Sequence, residues 1–371
     1  MSDFDHFVGT QSVSDKQAFD VAALTRWLDQ NLPGFKGPLT VESFKGGQSN
    51  PTYKLSTPTQ SYVMRAKPGP VAKLLPSAHA IEREFAVMRG LHGTEVPVPQ
   101  MHCLCEDESV IGRAFYIMEF MQGRILWDQT LPGMSASERG AIYNEMNRVM
   151  AALHTVKFAD RGLASYGKPG NYFDRQISRW SKQYLASADG AGPMSQPIHE
   201  MDELIKWLPL HIPAMARAEH MVSIVHGDYR LDNLMFHPTE PRIIAVLDWE
   251  LSTLGHPLAD FSYHCMAWHI PPGSFRGIGG LDVKALGIPE EDEYIRLYCQ
   301  RTGLTTPDAL KADWNFYLAY NLFRLAAILQ GIAKRVEMGT AASAQAVASA
   351  AGARPLAQMA WKFAQQASTP L

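Results

Sequence analysis

The chain has 371 residues, of which 46% are apolar and 19% charged, and a net charge of -3. That length buries a large core and predicts two lobes or domains, while the charge argues against nucleic acid or an anionic membrane as the main partner. Four cysteines make no disulfide framework, which points to a reducing compartment.

The opening residues Met1 to Asp5 lack the basic and apolar regions of a signal peptide. No apolar run reads as a membrane span of about 20 residues, so a cytoplasmic protein is expected. Residues 1–15 read as polar and irregular. Val21, Leu24 and Leu28 recur at helical spacing, which predicts an amphipathic helix over 16–31 ended by Leu32-Pro33-Gly34. Five β-type runs follow, at 39–44, 52–55, 61–66, 98–105 and 114–121. Cys103 and Cys105 fall in the fourth and read as two thiols on one strand face. A helix over 79–91 interrupts the series, with Ile81, Phe85, Met88 and Leu91 on its buried face. Glu84 shares that face, whereas Glu82 and Arg83 turn away from it. A carboxylate on a buried face needs a partner, so Glu84 is expected in an internal ion pair.

Beyond Met121 the pattern becomes helical. Ser135 and Glu138 form a capping-box pattern, and Ile142, Met146, Val149, Leu153 and Val156 continue an amphipathic stripe. Residues 316–332 are apolar almost all round, which predicts a central buried helix. The Ala- and Ser-rich stretch 340–352 is expected to form a terminal helix or packing surface.

The chemistry-bearing signal lies between these helices. Ile224-Val225 leads into His226-Gly227-Asp228-Tyr229-Arg230-Leu231-Asp232-Asn233, and the apolar run from Ile243 to Leu247 ends on Asp248-Trp249-Glu250. The turn formers His237 to Pro241 separate the two halves. Asp228 and Asn233 stand five apart, and Asp248 ends a strand twenty residues after Asp228. Such a set suits phosphoryl transfer. A hydroxyl nucleophile needs a carboxylate to take its proton, and a triphosphate needs Mg²⁺ on hard oxygen ligands.

His-Gly-Asp-x-x-x-x-Asn with Leu-Asp-Trp-Glu resembles the aminoglycoside phosphotransferase and choline kinase branch of the kinase-like fold. Together with Gly255-His256-Pro257-Leu258-Ala259-Asp260, it is similar to the phosphotransferase domains that some proteins carry fused to acyl-CoA dehydrogenases. The resemblance spans roughly 39–335. It implies an α+β, protein-kinase-like two-lobe fold, with a five-stranded antiparallel sheet lobe over 1–120 that binds nucleotide. A mostly helical lobe over 121–371 would carry the catalytic loop and acceptor site.

The resemblance also assigns roles. Asp228 is the expected catalytic base, and Asn233 and Asp248 the expected Mg²⁺ ligands. Glu250 either assists the metal or plays a solvated or capping role. Gly46, Gly47, Gln48, Ser49 and Asn50 join two strands where a phosphate-binding loop belongs, although paired glycines between strands also make plain hairpins. Arg65 replaces the usual third-strand lysine. It is expected to hold phosphate while paired to Glu84, with Lys67 as the alternative. Glu119 and Met121 match the hinge whose backbone bonds an adenine edge. Asp260 is expected to brace the catalytic loop and His226 to be structural, while Arg230 contacts an acidic acceptor or pairs with Asp232. His264, Cys265 and His269 show no zinc spacing and are expected to pack or line the acceptor pocket.

The expected function is an ATP- and Mg²⁺-dependent kinase of a small-molecule hydroxyl, with a hydroxyacyl-CoA or hydroxy acid as acceptor. The rivals are a silent nucleotide-binding module, an aminoglycoside or amino-alcohol kinase, and a metal-dependent hydrolase.

Overall fold

A computed structural model describes residues 9–45, 50–69, 80–273, 276–341 and 344–367. The first part of the chain folds as β1 (Thr10–Gln11), α1 (Val21–Asn31), β2 (Thr40–Phe44), β3 (Thr52–Ser56), β4 (Ser61–Ala66), α2 (Ile81–Leu91), β5 (Met101–Cys105), β6 (Phe115–Glu119) and β7 (Arg124–Ile125). Three helices follow, α3 (Ala136–Thr155), α4 (Tyr172–Ser187) and α5 (His199–Leu210). Then come β8 (Ser223–Val225), β9 (Leu234–Phe236), β10 (Ile243–Val246) and β11 (Thr253–Gly255). The remainder is helical: α6 (Pro257–Cys265), α7 (Val283–Leu286), α8 (Glu291–Thr302), α9 (Pro307–Ala312), α10 (Trp314–Glu337), α11 (Ala344–Ala350) and α12 (Ala353–Ala367).

These elements form two compact units. One comprises 1–127, 158–166 and 232–252, and the other 128–157, 167–231 and 253–371. No single cut, at residue 120 or elsewhere, separates them.

In the first unit the five expected strands form an antiparallel sheet, extended at one edge by β1, in the order β1-β2-β3-β4-β6-β5. The short edge strand was not legible, because Thr10-Gln11 carries no apolar alternation; its pairing to Phe44 and Ser43 makes it a strand. Alternation sorts the faces of β4. Tyr62, Met64 and Ala66 enter a core with Leu24, Leu28 and Phe115, which turns Arg65 to the opposite face. The helix expected from residue 16 starts at Val21 instead. Asp20 accepts from the Ala23 N–H at 2.9 Å and caps it there.

Segment 232–252 belongs to this unit through a second sheet, β10-β9-β7. Arg124 fastens the intervening turn, donating to the His237 and Glu240 carbonyls at 2.9 and 2.8 Å. The Val246 N–H donates to the Pro97 carbonyl at 2.8 Å.

In the second unit β8 pairs antiparallel with β11, Val225 facing Thr253. The capping box at Ser135 and Glu138 forms as expected. The helix α10 has the length and apolar composition to cross a membrane, yet 89% of its apolar window is buried within the protein. Its apolar surface is spent on aromatic packing, with Phe173 touching the rings of Phe316, Tyr317 and Tyr320 at centroid distances of 5.4, 5.7 and 4.9 Å. The apolar run read as helix over 316–332 is thus the middle of a longer core helix.

Gly123 enters β7 with its Cα against β9, and a Cβ there would run into the Phe236 carbonyl oxygen and the Met235 side chain. Backbone cannot yield as a flexible side chain can. Gly123→Ala is therefore expected to cost about 1–3 kcal/mol, read as a fall in the urea unfolding midpoint at unchanged m-value.

Candidate active site

Arg65 is the hub of the charged cluster in the first unit. Its Nε lies 3.0 Å from Glu84 Oε2 and its Nη2 2.9 Å from Asp248 Oδ1, with Glu250 Oε2 at 3.7 Å. Three carboxylates thus share one guanidinium. The strand–helix arithmetic produces this. Arg65 and Tyr116 are cross-strand partners on β4 and β6, and Glu84 comes to them from the buried face of α2. Glu84 is 1% exposed. It also accepts from Asn50 Nδ2 at 2.8 Å and from the Tyr116 hydroxyl at 3.2 Å.

Burial raises the Glu84 carboxyl to about 7; Arg65 opposes that shift, while the charges of Asp248 and Glu250 add to it. Burial alone would lower the Arg65 guanidinium, but Glu84 and its other neighbours outweigh it, so Arg65 is held charged.

The neighbouring positions are resolved as well. Glu82 points outward and pairs with Lys67 at 3.3 Å, so Lys67 does not compete for Glu84. Asn50, expected in a phosphate-binding loop, is fully buried and supports Glu84 instead; its short amide reaches the carboxylate rather than the surface. Gly46, Gly47, Gln48 and Ser49 lie outside the described residues. At the expected hinge, the Glu119 N–H donates to the Gln100 carbonyl at 2.9 Å. That N–H is spent, so Glu119 can offer an adenine edge only its carbonyl. Met121 lies just beyond β6.

Asn233 and Asp248 come together through the β9–β10 hairpin. The Leu247 N–H donates to the Asn233 carbonyl at 2.8 Å, which sets Asn233 across from the residue before Asp248. Asp248 has φ +64° and ψ +62°. A left-handed conformation costs a non-glycine residue about 1–2 kcal/mol, and such strain collects where a side chain must be aimed. Glu250 follows in a single turn of 3₁₀ helix, Trp249–Leu251.

The second unit carries Asp228 on the loop after β8. Asp260, on the first turn of α6, accepts from the backbone N–H groups of His226 and Gly227 at 2.7 and 2.8 Å. This is the bracing contact expected of it. His154 Nε2 lies 3.2 Å from the same carboxylate, and the Tyr298 hydroxyl is 2.7 Å from His154 Nδ1. Burial would raise the Asp260 carboxyl, but His154, His226 and their hydrogen bonds hold it below the usual range.

His226 is fully buried, and its Nδ1 accepts from the Asp228 N–H at 3.2 Å, a structural role. The Asp228 carboxylate takes the Tyr263 hydroxyl on Oδ1 at 2.6 Å and faces Arg230 Nε from Oδ2 at 3.3 Å. Arg230 thus meets Asp228, a contact not among the sequence expectations. A cavity of about 30 Å³ adjoins this pair; Arg230, Tyr263, His264 and Arg276 are among the residues lining it. His264 bonds the Tyr294 hydroxyl at 2.9 Å, and His269 pairs with Glu291 at 2.9 Å.

Tyr263, Arg324, His154 and Tyr116 were not singled out from sequence. Arg324 did leave a signal, as a lone cation in the apolar run of α10. The others sit in ordinary helix and strand patterns and are recognisable only from what they touch.

With this geometry, the comparisons with known proteins are specific. A model of the phosphotransferase enzyme family matches residues 40–312. The chain belongs to that family, and its fold is the kinase-like one, an antiparallel sheet lobe with a helical lobe. It is 45% identical over 359 residues to the mouse protein named acyl-CoA dehydrogenase family member 10, covering 96% of this chain and 32% of that protein. It is 61% identical to a crystal structure from Ralstonia eutropha JMP134 described as a candidate aminoglycoside phosphotransferase, with a TM-score of 0.85 and coverage of 95% and 100%. Choline kinase from Cryptosporidium parvum Iowa II shares the fold at TM-score 0.61 and 14% identity, over 94% and 95% of the two chains. The chain spans less than half the length of the curated relatives it matches.

Two outcomes test the electrostatics. Glu84→Ala removes the buried acceptor that Arg65, Asn50 and Tyr116 share, and breaking a buried pair in this way is expected to cost about 3–5 kcal/mol, read by chemical denaturation. Burial also lowers His256 and His264 to about 4 each. Below pH 6.5 the unfolded chain binds protons that the native state refuses, so stability falls as pH drops from 6.5 toward 4. The loss from pH 7 to pH 5 should be on the order of 2 kcal/mol per histidine. Denaturation at both pH values should show it, and His264→Gln should remove its share.

Proposed function

We propose that the chain transfers the terminal phosphoryl group of ATP to a small-molecule hydroxyl, and that the acceptor is a hydroxyacyl-CoA or a related hydroxy acid. One observation carries the transfer chemistry: Asp228 is a carboxylate fixed at backbone and side chain. The Asp260 clamp, the His226 contact and the Tyr263 hydrogen bond all act on it. In this reading Asp228 orients the acceptor hydroxyl and takes its proton as the oxygen–phosphorus bond forms and the bond to ADP breaks. Most of the rate then comes from positioning, for which well-oriented groups supply about 7–11 kcal/mol.

Arg65, held by Glu84, binds phosphate oxygens, and the Glu119 carbonyl with the Met121 N–H bonds the adenine edge. Asn233 and Asp248 hold Mg²⁺, with Glu250 beside them. The donor set fits, because an amide and a carboxylate are hard oxygen ligands brought together by the hairpin. No group of three or more His, Cys, Asp or Glu residues forms a metal site among the described residues. Mg²⁺ in such enzymes takes only one or two carboxylates and completes its shell with phosphate and water. Bound there, it would neutralise charge developing on the phosphates.

The acceptor class is supported by charge. Arg230, which pairs with Asp228, and Arg276 are among the residues lining the water-sized cavity there. The relatives' names add the acyl-CoA context. Dehydrogenation is not carried over, since the phosphotransferase match occupies 40–312.

ADP release from Mg²⁺·ATP, measured over hydroxyacyl-CoAs, amino alcohols and aminoglycosides, tests the reading. Turnover is expected with the first group. Asp228→Asn should lower it about 10²–10⁴-fold while the ATP-induced rise in melting temperature persists. ATP-stabilised melting with no turnover on any acceptor would make the chain a binding module instead, and phosphate release without an acceptor would make it a hydrolase.

A further inference from the structure

Asp228 carries a short hydrogen bond on one carboxylate oxygen and an ion pair on the other. Oδ1 takes the Tyr263 hydroxyl at 2.6 Å, in the range of strong O–H···O⁻ bonds. Oδ2 meets Arg230 Nε at 3.3 Å, a longer contact. Tyr263 itself cannot turn away. It is 7% exposed on α6, and the Arg324 guanidinium lies over its ring at 5.1 Å from the centroid. Arg324 is fixed in turn, stacked over Trp180 at 5.6 Å and donating to the Gly227 carbonyl at 2.7 Å. A chain of contacts thus runs from α10 through Tyr263 to the side chain of Asp228, and a second runs from α10 to the backbone just before it.

We propose that Tyr263 is a positioning residue that holds Asp228 by Oδ1 and so reserves Oδ2 for the acceptor hydroxyl. This rests on Asp228 being the base. A carboxylate free to rotate exchanges its oxygens and spends time out of line with the nucleophile, and a pinned one has that entropy removed in advance. The proton path follows. The acceptor O–H bond breaks toward Oδ2 as its oxygen bonds phosphorus, ADP leaves with the electron pair of the broken bond, and the proton passes from Oδ2 to solvent. Tyr263 remains a donor throughout, because burial and the adjacent Asp228 charge push its phenol well above the ordinary value. Arg230 yields Oδ2 when the acceptor arrives.

A double-mutant cycle tests this, reading ADP release from Mg²⁺·ATP with a 3-hydroxyacyl-CoA as acceptor, or with water where that is not turned over. Tyr263→Phe keeps the ring under Arg324 and deletes the hydrogen bond. Its kcat should fall about 10–100-fold, the worth of a hydrogen bond to a charged group, with KM for ATP unchanged. In an Asp228→Asn background the same change should cost little more, since it acts through the carboxylate. A wild-type rate for Tyr263→Phe, or an equal fold-loss in both backgrounds, overturns the proposal and leaves Asp228 as base. Full activity in Asp228→Asn alone overturns the base and this inference with it. Should Tyr263→Phe fail to fold, Tyr263→Gln, which retains a donor, must outperform Tyr263→Leu, and equal rates for the two would refute the positioning role.

Discussion

One guanidinium, that of Arg65, answers three carboxylates, and much of the first unit is arranged around that imbalance. Glu84 is buried and cannot be left without donors, so Arg65, Asn50 and Tyr116 all converge on it. Asp248 and Glu250 reach the same cation. Carboxylates gathered at one place in this way suit a bound cation. That is the electrostatic ground for assigning Mg²⁺ and phosphate to this cluster in the proposed function.

The second unit solves a different problem, that of holding a polar loop still. His226 and Gly227 present backbone N–H groups away from any strand ladder, and such groups must be satisfied when buried. Asp260 satisfies both with one carboxylate, and His154 with Tyr298 orients that carboxylate from behind. The loop is thereby fixed before any ligand arrives. Gly227 at φ +82° makes the turn, a conformation glycine adopts without cost. Asp228 therefore emerges from a backbone with little freedom left.

Family and name diverge in an instructive way. The mouse relative is named for a dehydrogenase, yet this chain corresponds to 32% of it, and the phosphotransferase match occupies 40–312 here. A name describes a whole protein, whereas chemistry resides in the particular residues that fold into a site.

The sequence alone determined five of the six strands of the main sheet, the capping box, the core helix, the buried face of α2 and the spacing of Asp228, Asn233 and Asp248. These are local: period-2 and period-3.6 patterns and turn residues act over a few positions. The choice of Glu84 over Glu82 was legible for the same reason, being a matter of helix phase. Tertiary structure decided the rest. It placed 232–252 in the first unit, turned Asn50 inward toward Glu84, spent the Glu119 N–H on Gln100, gave Arg230 to Asp228, and brought Tyr263 and Arg324 to the loop that carries Asp228. Apart from the Arg230–Asp228 pair, each joins residues from separate elements, tens of positions apart in most cases. Hydrogen-bond satisfaction in a packed interior sets such pairings, and no periodicity along the chain encodes them.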